Sequence, residues 1–127
     1  TDVENAHSAI DTLALADGRI LLAYNPVSEG RSRSKIGVAV SDDGGMRFEL
    51  KLVLEDKRDI PEPPAECREL VWEGTHEVHS PEYSYPAIIQ TQDGMVHVTY
   101  TYSYTSTVLR CSGRENLKHV IIDPSFL

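Results

Sequence analysis

Short apolar runs recur along the chain, each closed by residues that favour turns. Residues 7–15 read as a strand in which Leu13 and Leu15 set an alternation that Ile10 breaks, and residues 19–24 (Arg-Ile-Leu-Leu-Ala-Tyr) read as the strand that returns. Asp17-Gly18 between them predicts a tight hairpin turn. Asn25-Pro26 then ends the second strand, because proline has no N–H for a ladder and biases its predecessor away from helix. After a polar loop, residues 35–40 and 50–54 form two further apolar runs around the polar turn Ser41-Asp-Asp-Gly-Gly-Met-Arg-Phe48. The pattern predicts a four-stranded antiparallel meander over residues 7–54.

The same order starts again in the second half. Residues 83–91, the turn Asp93-Gly94, residues 95–100 and residues 117–122 predict three strands of a second meander over 83–124. A shift of 76 residues places Ser8 on Ser84, Leu13 on Ile89, Asp17-Gly18 on Asp93-Gly94, Leu22 on Val98 and Tyr24 on Tyr100. A repeated strand, Asp-Gly, strand unit indicates internal duplication, and repeated four-stranded meanders are the sequence form of propeller blades. Two segments stand outside the repeat. Residues 55–82 hold Pro61, Pro63, Pro64, Trp72 and many charges, and residues 103–116 are polar. Segments of that length read as functional loops or disordered segments, and an insertion or an imperfect gene model would look the same.

Charge removes several function classes. Lys and Arg number 12 against 20 Asp and Glu, a formal net charge of -8, and no basic run is present to follow a phosphate backbone. The same balance opposes charge-driven binding to an anionic membrane, and no apolar run is long enough to span one. Cys67 and Cys111 fit a disulfide or two free thiols equally well. His76-Glu-Val-His79, with no helix under it and no third ligand, reads as a polar loop, so neither metal nor cofactor is expected.

The turn at Ser41, Asp43, Gly45 and Phe48 resembles the Asp-box, Ser-x-Asp-x-Gly-x-Thr-Trp, with Arg47 where Thr is usual and Phe for Trp. Its oxygens can accept backbone amides of their own turn, Gly takes the positive φ, and the aromatic pins the turn to the sheet. With the blade order and the pieces 21–26, 36–45, 83–89, 93–100 and 118–124, the chain resembles the BNR/Asp-box repeat, sialidase-like family of six-bladed propellers. The expected fold is therefore all-β, about two blades of such a propeller, as a C-terminal piece of a larger one. If the chain works alone, its open blades predict self-association.

The resemblance implies a retaining exo-glycosidase that cleaves terminal sialic-acid-like sugars with a Tyr nucleophile. It places that nucleophile at Tyr83, in the Tyr-Ser pair opening the last blade, and a carboxylate-anchoring arginine at Arg33. Strand parity puts both at one end, because loops between second and third strands and those joining blades emerge together. Competing readings stand beside these roles. Arg33 also reads as an exposed loop arginine, with Arg31 two positions away, and Tyr83 as an aromatic packed at a strand entrance beside Tyr85. Tyr85-Pro86 replaces the acidic residue that sialidases commonly carry after Tyr-Ser. Neither the Glu partner nor the Asp acid/base can be placed, so the 127-residue chain is expected to be inactive alone. The alternative is a carbohydrate-binding or protein-interaction propeller without catalysis.

Overall fold

The structure, a computed structural model, describes residues 1, 3–27, 33–56, 82–103 and 116–127. Among them seven strands form two antiparallel meanders: β1 (Asp11–Ala14), β2 (Ile20–Tyr24), β3 (Lys35–Ser41) and β4 (Glu49–Asp56) in one sheet, and β5 (Glu82–Gln90), β6 (Val96–Ser103) and β7 (Asn116–Ile122) in the other. A one-turn 3-10 helix, Pro124–Phe126, follows β7. The all-β, antiparallel expectation holds, with strands paired in sequence order.

The central strands of the first sheet are buried on both faces, which explains their nearly unbroken apolar sequence. Leu21, Ala23, Ile36, Val38 and Val40 point one way into a core shared with Tyr83, Ile88, Val96, Val98, Tyr100 and Ile122 of the second sheet. Leu22, Tyr24 and Ala39 point the other way, under Val3 and Phe48. The two sheets thus pack face to face. At the position 76 places on from Leu22, Val98 is buried in the core between the sheets, whereas Leu22 lies on the other side of its own sheet.

The duplicated turns match in detail. Leu15 N donates to Arg19 O at 2.8 Å and Thr91 N to Met95 O at 2.9 Å; Gly18 and Gly94 adopt φ of 94° and 85°. Asp17 caps the first turn through the Arg19 amide at 3.0 Å, and Asp93 the second through the Met95 amide at 3.2 Å. Arg19 then bonds Leu127 O at 2.9 Å and Pro124 O at 3.0 Å, tying the last residues to the first hairpin.

Several boundaries differ from expectation: β4 runs to Asp56 and β5 begins at Glu82, both within the expected 55–82 insertion, β6 runs on to Ser103, and the largest difference is in the first strand. The first strand covers Asp11–Ala14 and not residues 7–15. Asn5 bridges to Pro26 and its side chain bonds Ser8 O at 2.6 Å, while His7 sits at a φ of 50°. These local bonds turn the backbone before the ladder begins, and Ile10 is left exposed. Cys67, Cys111, the His76 to His79 motif and the core of both expected insertions lie outside the described residues.

Candidate functional site

The Asp-box turn is built as its sequence requires. Ser41 Oγ donates to Asp43 at 2.8 Å and accepts the Gly45 amide at 2.9 Å. Asp43 Oδ1 accepts the Met46 and Arg47 amides at 3.0 and 2.9 Å. The Arg47 amide, then the Ser41 hydroxyl and the Met46 amide, hold the Asp43 carboxyl below the usual range. Gly45 takes a φ of 89°, which a side chain there would disfavour, and Phe48 packs on Leu22, Tyr24 and Ala39. The Ser41 hydroxyl and Asp43 Oδ1 are thus both engaged within the turn itself.

The opposite end of the sheets carries the candidate residues. The strands β2, β4 and β6 all end there, and β5 begins there. Tyr83 N donates to Arg33 O at 2.9 Å, which joins the candidate nucleophile and the candidate anchor through their backbones. Asn25, fully buried at the end of β2, donates from Nδ2 to Lys35 O at 2.6 Å and to Tyr83 O at 2.9 Å. Its own amide accepts no such role; it donates to Asn5 Oδ1 at 3.2 Å, and its carbonyl accepts the Ala6 amide at 3.1 Å. One residue therefore joins three segments beneath this end: its side chain ties β3 to β5 and its backbone holds the N-terminal segment.

Arg33 is partly exposed. Its Nη1 donates to Glu82 Oε1 at 3.0 Å and its Nη2 to His7 O at 3.1 Å, and its guanidinium lies 5.8 Å from the centroid of the Tyr85 ring. Tyr85 is 61% exposed and adopts a φ of 53°, in the irregular stretch of β5 between Ser84 and Ala87 where the ladder to β6 shifts register. Tyr83, by contrast, has no accessible surface, and its ring packs 5.5 Å from that of Tyr102. In this structure the Tyr83 side chain is a packing element between the sheets. The Tyr85 side chain is presented outward, and Arg33 and Glu82 are each about a third exposed beside it.

A carboxylate network that sequence reasoning missed lies alongside. Glu55, at the end of β4, accepts the Tyr100 hydroxyl at 2.7 Å and is paired with Lys118, whose Nζ stands 4.9 Å from the Tyr102 ring centroid. Burial first, and then the hydrogen bond to Glu55, hold the Tyr100 phenol well above its ordinary range. Tyr100 is thus a neutral donor to Glu55. The only sequence signal was Tyr100 matching Tyr24 in the repeat; nothing in the spacing linked it to Glu55. Lys35 and Asp56 add an ion pair at 3.1 Å.

Among the described residues no group of three or more His, Cys, Asp and Glu gathers as a metal site, and no helix is long and apolar enough to cross a membrane. Duplicated antiparallel meanders, one closed by a Ser-Asp-Gly turn that satisfies its own amides, define a protein of Asp-box-type β-repeats. The model of the BNR repeat-like domain matches residues 1–98, and the chain belongs to that family. No curated protein and no solved structure matches the chain.

Proposed function

We propose that the two sheets are neighbouring blades of a sialidase-like, six-bladed propeller, and that the end bearing Arg33 receives an acidic sugar. The observation that carries this reading is the junction of Arg33 and Tyr83, 2.9 Å apart through their backbones at the long-loop end. Support for further blades comes from the outer face of the second sheet, where Ile89, Leu117 and Ile121 are more than half exposed. Two of the five guanidinium N–H groups of Arg33 are engaged by Glu82 and His7, which fixes the group in place while leaving donors for a ligand carboxylate. A planar, permanently charged fork suits that task.

In the hydrolase form of this reading, a carboxylate takes the phenolic proton as Tyr83 attacks the anomeric carbon, the glycosidic C–O bond breaks and an acid supplied by the rest of the propeller protonates the departing aglycone oxygen; water then displaces Tyr83 from the sugar. The burial of Tyr83 favours the binding form for the chain of 127 residues, since a nucleophile must reach its substrate. The test is a titration with the methyl α-glycoside of N-acetylneuraminic acid, followed by saturation-transfer NMR, beside a fluorogenic sialoside assay. Saturable binding that Arg33→Gln weakens at least tenfold, without turnover, is expected. Equal response to a neutral methyl galactoside, or no binding at all, overturns the acidic-sugar reading. Turnover that Tyr83→Phe abolishes overturns the binding form in favour of the hydrolase.

A further inference from the structure

Tyr85 is the one large aromatic that the described part of this end leaves open to solvent, and its backbone is held in a conformation that side chains disfavour. A tyrosine at a φ of 53° is a conformational outlier, and such residues persist only where their surroundings fix them. Here the surroundings are specific. Tyr85 and Pro86 occupy the break in the β5–β6 ladder, where Ser84 pairs with Thr101 and Ala87 with Thr99, and Pro86, buried, has no N–H to lose. On the near side, Tyr83 and Ser84 are anchored by burial, and beyond the break the Ile88 amide donates to Asp11 Oδ2 at 2.9 Å. The bulge turns one ring of β5 away from the core and sets it beside Arg33, at 5.8 Å from the guanidinium carbon.

The folded core gains nothing evident from this placement. A ring 61% exposed contributes little burial, and glycine would meet the backbone requirement without strain. What the arrangement does provide is an aromatic face next to a fixed cation with unengaged donors. A pyranose that carries a carboxylate has the complementary pair of features: an apolar C–H face and an anion on the ring edge.

We propose that Tyr85 is the stacking platform of this end, its ring meeting the apolar face of an acidic sugar while Arg33 takes the carboxylate. The inference rests on the acidic-sugar reading of Arg33 and adds to it a second recognition element, one that selects for a ring and not only for a charge. The break in β5 is then the device that presents the platform, and Glu82 and His7 hold the guanidinium over one face of the ring, which leaves the other face for the sugar.

The experiment is the same NMR titration on the full chain, with three probes: the methyl α-glycoside of N-acetylneuraminic acid, methyl β-glucuronide, and acetate as a carboxylate without a ring. Tyr85→Phe should keep the affinity for both sugars within about twofold, because stacking needs no hydroxyl. Tyr85→Gly, which relieves the backbone and so remains folded, should weaken both about tenfold, the loss expected for about 50 Å² of apolar contact. Acetate should bind wild type and Tyr85→Gly equally weakly. If Arg33→Gln abolishes sugar binding and Tyr85→Gly leaves it unchanged, the platform is wrong and the carboxylate anchor stands. If wild type binds none of the probes, the acidic-sugar reading fails and the platform with it.

Discussion

Replacing Asn25 should destabilise the chain more than any other single polar change at the long-loop end. The side chain has no accessible surface and makes two donor bonds, 2.6 Å to Lys35 O and 2.9 Å to Tyr83 O. Each buried bond withdrawn costs about 1–1.5 kcal/mol, and the space left by the amide adds to it, so Asn25→Ala is expected to cost about 2–4 kcal/mol. In urea unfolding followed by circular dichroism, a loss of that size lowers the midpoint by about 1–2 M. Asn25→Asp sharpens the test because it keeps the shape and removes the donors. At pH 7 the new carboxylate faces two carbonyl oxygens, so this variant should be at least as unstable as Asn25→Ala. Protonation restores one donor, and burial beside carbonyls raises the folded-state pKa of the introduced carboxyl, so its deficit should shrink as pH falls toward that of an unfolded aspartate. If Asn25→Ala lies within about 0.5 kcal/mol of wild type, a range ordinary for surface changes, the residue is not the joint described here.

Three further outcomes follow from the geometry. Gly37→Ala should destabilise by about 1–3 kcal/mol, because an added Cβ would lie 2.7 Å from both Leu52 O and Leu50 Cδ1 and the strand partner cannot yield without shifting register; thermal denaturation reads this directly, and an unchanged midpoint would show that β3 and β4 part easily. The Asp17, Asp43, Asp93 and Asp123 carboxyls are all held below 3.8, so they stabilise the fold above that pH and the benefit disappears as pH falls through their folded-state values; melting temperature should be flat near neutrality and drop below about pH 4, with a shallower drop in Asp43→Asn. Tyr100 titrates in the opposite sense: its raised phenol favours the fold below the unfolded value of 10.0, and that contribution declines as pH rises past it. Tyr100→Phe should therefore melt lower than wild type at pH 7 and show a smaller fall between pH 9 and 11 as read by circular dichroism, about the range where free phenols ionise.

The sequence exposed those parts of the molecule whose physics is local. Leu21 to Tyr24 and Ile36 to Val40 are apolar at every position because each is buried on both faces, and the Asp-Gly pairs announce hairpins because their glycines take φ of 94° and 85°. Ser41, Asp43 and Gly45 were readable for the same reason: the bonds that fix the turn run between neighbours within four residues. Arg33 and Tyr83 could be brought to one end by strand parity alone, which counts crossings and needs no contact. Parity does not give side-chain direction, however, and a strand with a regular two-residue period would send Tyr83 and Tyr85 to the same face. The break between Ser84 and Ala87 ends that period, so that Tyr83 is enclosed while Tyr85 is open beside Arg33. Glu55, Tyr100 and Lys118 were hidden for a different reason. Their partners lie 45 and 63 residues apart in the chain, and only the packing of the two sheets brings them together. The same holds for Asn25, which reads in sequence as the residue before a proline and in the structure as a bond to a strand 58 residues on. On the reading proposed above, ligand selection at this end is set by inter-sheet contacts and by one irregularity in β5, and substitutions there should alter it while leaving the Asp-box turn at the other end intact.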